Sequence, residues 1–191
     1  MKTSNNVIKS NLYLDYLNNL VLSDKFGWKY ISTTADVRDK LDSNLNGTFY
    51  HNLYHHLNDI KSEHYDVFLP LVFELLEASG LNNYKVIRSR LGLLQNRGKS
   101  IIHAPHVDYI EPHKTIIYYL NQSDGSTFFY NENMVVENNL PKMHDTFTVS
   151  HQNIYKKNSM VVFDGHTYHS SSTPIQHENR IVLNINLISI W

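Results

Sequence analysis

A histidine and an aspartate two positions apart are the residues of this sequence best suited to hold a metal ion. His106 and Asp108 fall within a run that reads as a β-strand, residues 101–108. Because alternate side chains of a strand point to the same side, we expect the imidazole and the carboxylate to be presented together. A second histidine from elsewhere in the chain would complete a set that suits Fe(II) and leaves three coordination positions open.

Two later histidines could supply the third ligand. Both His166 and His169 follow a predicted strand over residues 160–163. His169 lies closer in sequence to Arg180, which begins the last predicted strand. The smaller separation suits a short turn between neighbouring strands, so we predict that His169 is the ligand.

The last predicted strand, residues 180–188, indicates an anion-binding cavity beside the metal. Its apolar residues alternate with polar ones that include Arg180 and Asn184. Buried polar groups need partners, so this face implies a polar cavity. A dicarboxylate is a suitable partner, since Arg stays charged and binds a carboxylate through two parallel hydrogen bonds. Tyr119, on another predicted strand, could give a second hydrogen bond to the same carboxylate.

The elements that must position these residues divide the chain into a helical first part and a strand-rich second part. We expect four elements in residues 1–83: a helix over 11–22 capped by Ser10, a strand over 28–33, a helix over 35–45 capped by Thr34, and a helix over 62–79 that ends at Gly80 and is kinked or started by Pro70. Short β runs with turn signals between them follow, at 84–94, 101–108, 115–120, 127–130, 147–149, 160–163 and 180–188.

Helices followed by such strands predict an α+β fold, a double-stranded β-helix (jelly roll) with N-terminal helices packed on one sheet. We find no internal repeat, linker or low-complexity tract. We therefore assign residues 1–191 to a single domain, with 1–83 as mainly helical support and 84–191 as the jelly-roll core.

Composition excludes several classes of site. The chain has no cysteine, which rules out disulfides, thiolate zinc sites and iron–sulfur clusters and favours a cytoplasmic setting. The net charge of −1 predicts no broad basic surface for duplex nucleic acid. The apolar runs are too short to cross a bilayer, and no apolar segment that would indicate a secretory signal follows the first residues.

An ordered series of motifs resembles the prolyl-hydroxylase-like branch of the 2-oxoglutarate/Fe(II) oxygenases, especially the compact versions encoded by tailed phages. The resemblance covers about half of the chain, from Tyr84 to the end. The matching pieces are His106-Val107-Asp108, Thr115-Ile116-Ile117-Tyr118-Tyr119-Leu120-Asn121, Asp124-Gly125-Ser126-Thr127-Phe128, Val162-Phe163, His169 and Arg180.

The resemblance implies roles for individual residues. Iron would be held by His106, Asp108 and His169, and the 2-oxoglutarate carboxylate by Arg180 with Tyr119. We also assign Asn184 to the cosubstrate site, because it stands where oxygen-sensing prolyl hydroxylases have a threonine that contacts the cosubstrate. Another departure is Gly125-Ser126, where the family has a pair of glycines.

The implied activity is hydroxylation of a C–H bond with release of succinate and CO2. Fe(II), 2-oxoglutarate and O2 would be required, with ascorbate as a candidate reductant, and a peptidyl residue such as proline or a small molecule would be the substrate. A phage-encoded enzyme would act in the host cytoplasm. Two alternatives stay open: a cupin-like metal enzyme that does not use 2-oxoglutarate, and a non-enzymatic β-sandwich binding or structural module.

Other polar residues near these motifs receive structural interpretations. Arg88 and Arg90 lie two apart on one strand face, and we expect them on a solvated face of the sheet. We interpret the histidines at 51 and 55 as surface or core residues, and those at 103, 113 and 166 as supporting residues beside the site. The loops over 95–100 and 131–145 are expected to shape substrate entry.

Overall fold

The structure, a computed structural model, describes residues 1–32, 47–137, 140–141 and 144–190. The helix expected over 35–45, with its Thr34 cap, lies outside the described residues. Within these ranges no helix is long and apolar enough to cross a membrane.

Two helices lie close to their predicted positions. Helix α1 (Asn11–Val21) begins after Ser10, whose side chain accepts a hydrogen bond from the backbone N–H of Tyr13. Helix α2 (Tyr65–Ser79) begins later than expected and continues through Pro70. It ends at Gly80, which has a φ of 78° and is therefore in the left-handed region that favours glycine.

Thirteen strands are present in the described part of the chain, and every pair is antiparallel. They are β1 (Lys2–Asn5), β2 (Lys29–Ile31), β3 (Thr48–His55), β4 (Ile60–Lys61), β5 (Tyr84–Gln95), β6 (Lys114–Tyr119), β7 (Thr127–Asn133), β8 (Val136–Glu137), β9 (Leu140–Pro141), β10 (Val149–Asn153), β11 (Ser159–Asp164), β12 (Thr167–Ser171) and β13 (Asn179–Ser189).

An eight-stranded sheet with the order β1-β11-β6-β13-β5-β3-β2, in which β4 also pairs with β3, forms the centre of the fold. A second sheet has three strands in the order β10-β7-β12, and β8 and β9 form a separate pair. In the part of the chain that the structure describes, antiparallel sheets with two helices match the expected fold class at this coarser level.

The two faces of the main sheet pack against different layers. On one face, Ile181, Leu183, Ile185 and Leu187 of β13 join a core with α1 and α2. On the other face, side chains of β6, β11 and β13 pack with Phe129 of the second sheet. The alternation predicted for β13 is therefore confirmed, and Arg180 and Asn184 lie on the face toward the second sheet.

The first 83 residues contribute more strands than predicted. Only β2 was expected there, and β1, β3 and β4 were missed. Strand β3 reads Thr-Phe-Tyr-His-Asn-Leu-Tyr-His, and Leu53 is its one fully buried apolar residue, so its sequence gives little of the alternation that marks a half-buried strand. It nonetheless pairs with β5 over much of its length.

The strand predicted over 101–108 is wrong. This segment makes only isolated bridges, between Ile102 and Ser172 and between His106 and His169. Pro105 lies between the bridges and has no N–H to donate to a ladder. The strand predicted over 147–149 is shifted to β10, and β12 was not predicted at all.

Candidate metal centre

His106 and His169 are placed side by side by their own backbones. The N–H of each residue donates to the carbonyl of the other, with both N···O distances 3.0 Å. The ring centroids are 4.6 Å apart. His169 lies inside β12 rather than after a strand, and His106 pairs with it from an irregular segment, so strand alternation was the wrong reason for the proximity of His106 and Asp108.

The structure brings all three predicted ligands together. One ligand atom from each of His106, Asp108 and His169 lies within 4.8 Å of the others. The side chains of Asp108 and His169 are only 5% and 4% exposed. Two imidazoles and one carboxylate that lie close together and are largely buried form a donor set that can hold a divalent metal ion.

Hydrogen bonds orient the two imidazoles in the same way. Nδ1 of His106 lies 3.3 Å from the carbonyl oxygen of Ala104, and Nδ1 of His169 lies 3.3 Å from that of Thr167. A proton on Nδ1 satisfies each of these contacts and leaves the Nε2 lone pair for a metal, as is usual for histidine ligands.

Burial keeps both histidines in the form that binds metals. It lowers the pKa of His106 to about 4, assisted by the neighbouring His169. Burial also lowers the pKa of His169, against the attraction of Asp108. Both imidazoles are therefore neutral at pH 7, with no proton to displace from Nε2.

Asp108 is held by three donors from the main sheet. Arg88 donates to Oδ1 at 2.6 Å, and the amides of Asn184 and Asn186 donate to Oδ2 at 3.1 and 2.9 Å. Burial alone would raise the pKa of Asp108, but the charge of Arg88, with smaller contributions from both histidines and Asn186, holds it well below its usual value. Asp108 is thus an oriented carboxylate at any ordinary pH.

The interpretation of Arg88 as a residue on a solvated face is wrong. Its side chain is 11% exposed and forms a salt bridge with Asp108. Arg90 lines a cavity and is also largely enclosed. Strand β5 pairs with β13 in the main sheet. The face of β5 that carries Arg88 is therefore covered by the segment that contains Asp108.

Arg180 is a buried cation without a carboxylate partner in the described part of the chain. It is 3% exposed, and its Nη2 donates to Thr127 Oγ1 at 2.8 Å. The rings of Tyr119 and Tyr155 lie 5.8 and 5.5 Å from its Cζ atom. Burial lowers the pKa of Arg180, and the two tyrosines act in the opposite direction.

Tyr119 lies beside Arg180, whereas Asn184 does not. The hydroxyl of Tyr119 shares a 2.8 Å hydrogen bond with Thr127 and accepts another from Asn153 at 2.7 Å. Asn184 instead binds Asp108. The structure therefore places Asn184 at the metal-ligand group, separately from the Arg180–Thr127–Tyr119 cluster.

One cavity joins the two histidines of the metal-ligand group to the Arg180 cluster. Its lining includes His106, His169, Asn184, Thr127 and Arg180. The described lining contains no acidic side chain. A ligand bound at the metal-ligand group can therefore reach the guanidinium of Arg180 without leaving the cavity.

The loop before β7 supports Arg180 in a way that spacing alone could not reveal. A Cβ atom at Gly125 would lie 2.6 Å from the carbonyl oxygen of Ser172 and 2.7 Å from Cδ of Arg180. Only glycine fits there without a shift. Thr127 and Tyr155, which contact Arg180, were also not predicted; the resemblance placed Thr127 within a motif, but gave it no role.

No family model matches the chain, and no curated protein matches it in sequence. Solved structures do match. A 2OG-Fe(II) oxygenase family oxidoreductase from Burkholderia pseudomallei has 12% identity and a TM-score of 0.60, covering 91% of this chain and 78% of that one. The chain has the fold of the 2-oxoglutarate/Fe(II) oxygenases.

Two further oxygenase-fold structures extend the likeness over nearly the whole chain. A Pseudomonas putida prolyl-4-hydroxylase has 11% identity and a TM-score of 0.56, covering 100% of this chain and 92% of that one. The epimerase SnoN, in complex with Fe3+, alpha ketoglutarate and nogalamycin RO, has 12% identity and a TM-score of 0.59, covering 98% of this chain and 78% of that one. The oxygenase fold thus includes the N-terminal helices and strands of this chain.

Proposed function

We propose that the chain is an Fe(II)- and 2-oxoglutarate-dependent dioxygenase, a single domain built on a double-stranded β-helix. The observation that carries the proposal is one cavity lined by both histidines of the His106–Asp108–His169 group and by Arg180, a buried arginine that has no acidic partner among the described residues. A metal ion would account for the clustering of His106, Asp108 and His169. An anionic ligand would account for the buried charge of Arg180.

The three metal-ligand candidates fit Fe(II) by their chemistry. Neutral imidazoles and an ionised carboxylate are the ligands of the facial triad, which leaves coordination positions for a cosubstrate and O2. His106 and His169 would bind through Nε2, because Nδ1 of each faces a backbone carbonyl. Asp108 is held in place from the sheet side by Arg88, so its orientation does not depend on the metal.

Arg180 fits the distal carboxylate of 2-oxoglutarate. Its Nε is buried and has no hydrogen-bond partner among the described residues. An unsatisfied buried donor costs on the order of 1–3 kcal/mol, more for a charged group, and a bound carboxylate would remove that cost. Thr127 and Tyr119, which already contact each other beside Arg180, would orient the guanidinium.

In the proposed reaction, the residues of this chain would bind the metal and the cosubstrate and shape the cavity around them. When bound, iron and 2-oxoglutarate supply the oxidising power that lets O2 hydroxylate a substrate C–H bond, with succinate and CO2 as coproducts. His106, Asp108 and His169 fix the metal, and Arg180 fixes the cosubstrate. Ile117 and Val182 supply an apolar wall to the same cavity. Ascorbate is the reductant we propose for assays.

The first substrate class to test is a prolyl or other peptidyl residue. A structural neighbour that covers the whole chain is a prolyl-4-hydroxylase. Another, from Trichoplax adhaerens, is a prolyl hydroxylase in complex with a peptide fragment of a hypoxia inducible factor degradation domain. These similarities concern the fold alone. The substrate that this chain accepts is determined by the residues of its own cavity.

Calorimetric titration with Mn(II), followed by 2-oxoglutarate, tests the proposal. We expect one metal to bind per chain and 2-oxoglutarate to bind only after the metal. His169→Ala should abolish metal binding, whereas His166→Ala, which alters a histidine bonded to the carbonyl of Ile110, should not. Metal binding that does not promote 2-oxoglutarate binding would favour a cupin-like enzyme, and absence of metal binding would favour a non-enzymatic module.

A further inference from the structure

A second arginine, Arg90, lines the same cavity, and the proposed function assigns it no role. Arg90 lies on β5, on the same sheet face as Asn184, its partner across β13. Its guanidinium packs over the ring of Tyr50, with Cζ 5.7 Å from the ring centroid. Both Arg90 and Tyr50 line the cavity that contains His106 and His169.

Arg90 has no ionic partner among the residues that the structure describes. Asp108, the nearby carboxylate, is already paired with Arg88. Burial lowers the pKa of Arg90, and the like charge of Arg88 lowers it further. Since arginine remains charged in proteins, the guanidinium is a half-buried cation that is free to pair with an anion in the cavity.

The charges in the cavity do not balance when metal and cosubstrate are bound. Arg88 offsets Asp108, and a dianionic cosubstrate offsets a divalent metal ion. The charges of Arg90 and Arg180 remain, and the described lining holds no acidic side chain to oppose them. Positive charge in a partly enclosed site concentrates anions.

A polar atom beside Arg90 is also left for a ligand. Asn184, the residue paired with Arg90 on β13, lines the same cavity. Its side-chain oxygen is buried and has no hydrogen-bond partner in the described part of the chain. This amide can accept a hydrogen bond from an uncharged N–H or O–H of a ligand whose anionic group faces the guanidinium.

From these observations we propose that Arg90 binds an anionic group, a carboxylate or a phosphate, of the primary substrate. The inference rests on the proposed function, because it takes the charge of metal and cosubstrate into account. It narrows the substrate to molecules that carry an anion close to the C–H bond to be hydroxylated. A peptidyl substrate would have to present an acidic side chain, a phosphate or a terminal carboxylate there.

The Nε–H signal of Arg90, assigned by its loss in Arg90→Lys, reports anion binding directly in a two-dimensional ¹⁵N spectrum. The full chain is loaded with Zn(II) and N-oxalylglycine, so that the metal and cosubstrate positions are occupied. Acetate and inorganic phosphate are then titrated separately. We expect a saturable shift of the Arg90 signal with at least one anion, and no saturable shift of Arg97, the matched control, which bonds to the carbonyl of Gly47.

The two titrations separate the sources of the anion. Saturation by acetate alone points to a carboxylate, and saturation by phosphate alone to a phosphate. Arg90→Gln should weaken the saturating anion about tenfold or more, the loss expected for a charge-assisted hydrogen bond, and should retain N-oxalylglycine binding. Absence of saturation by both anions would overturn the inference.

The inference and the proposed function fail in different ways. If Zn(II) or N-oxalylglycine does not bind, the proposed function is lost whatever Arg90 does. If both bind and the Arg90 signal does not shift with either anion, only the inference is lost. Screening by ligand-observed NMR with N-acetyl-proline and its amide then extends the test to a substrate-like pair, for which equal binding of acid and amide would count against Arg90.

Discussion

Arg88 donates to Asp108 Oδ1 at 2.6 Å, and both side chains are almost fully enclosed. The arginine therefore occupies the sheet side of a carboxylate whose other side faces His169. A cation in this position substitutes for part of the charge that a metal ion would supply. It allows Asp108 to stay ionised and oriented in the metal-free protein.

Removing Arg88 should destabilise the metal-free protein more than the metal-loaded one. Arg88→Met leaves a buried carboxylate with only two amides and neighbouring histidines, so we expect a loss of about 3 kcal/mol in the free energy of unfolding. A divalent ion supplies the missing charge and should recover part of that loss. Urea unfolding with and without Zn(II) measures both quantities.

An exposed ion pair provides the control for Arg88. Lys61→Met removes a partner of Asp66 at a position where both side chains are largely exposed, and should cost less than about 1 kcal/mol. A loss in Arg88→Met no larger than this, or one that Zn(II) does not reduce, would contradict the role assigned to the pair.

The metal-free protein should lose stability in mildly acidic solution. Burial lowers the pKa of His106 from its ordinary value of 6.5, which applies to the unfolded chain, to about 4 in the folded protein. Between these values the unfolded chain binds a proton that the folded chain does not. The free energy of unfolding is therefore highest above pH 6.5 and decreases as the pH falls toward 4. The full shift corresponds to on the order of 3 kcal/mol, measured by urea unfolding across this range.

Replacing His106 should flatten that pH dependence. In His106→Gln the group that must be deprotonated in the folded state is absent, so stability between pH 6.5 and 4 should depend less on pH. The matched variant His56→Gln changes an exposed histidine and should preserve the wild-type slope. Identical slopes in His106→Gln and wild type would show that burial does not affect His106 as described.

Gly125→Ala should weaken the cosubstrate without affecting the metal. The added methyl group would fall within 2.7 Å of both the backbone oxygen of Ser172 and Cδ of Arg180, so the arginine must move. We expect about a tenfold or greater loss of 2-oxoglutarate affinity, because a bidentate contact requires fixed geometry, and unchanged Mn(II) affinity. Calorimetry provides both constants.

Gly27→Ala is the matched control for Gly125→Ala. A Cβ atom there would be 3.9 Å from the nearest side-chain atom, an ordinary contact, so Gly27→Ala should retain both affinities. If Gly125→Ala also retained its affinity for 2-oxoglutarate, the anion would have to bind away from Arg180.

Tyr119→Phe should have a smaller effect than changes at Arg180. The hydroxyl contacts Thr127 and Asn153, so its loss removes support for the guanidinium while the charge remains. We expect 2-oxoglutarate affinity to fall by about tenfold or less, corresponding to one neutral hydrogen bond. A larger loss, as great as that for Arg180→Gln, would mean that the phenol itself contacts the carboxylate.

The sequence revealed the parts of the site that depend on local pattern. Strand β13 alternates cleanly, so the faces of Arg180 and Asn184 could be assigned before any contact was known. The helix signals at Ser10 and Gly80 were likewise local, because a capping side chain and a left-handed glycine act within one turn.

The parts that the sequence could not reveal depend on which strands become neighbours. Arg88 and Arg90 resemble an exposed face until β5 is paired with β13, which places them beneath Asp108. The third ligand candidate, His169, was chosen for its distance from Arg180, but its position follows from the pairing of β12 with β7 and the bridge to His106.

Anaerobic titration of the Fe(II)-loaded protein with 2-oxoglutarate, followed by visible absorption, tests the central claim most directly. We expect a weak charge-transfer band that saturates with 2-oxoglutarate, requires about a hundredfold more of it in Arg180→Gln, and is unaltered in the control Arg97→Gln. Iron binding without a band, or a band equally saturable in Arg180→Gln, would contradict the account.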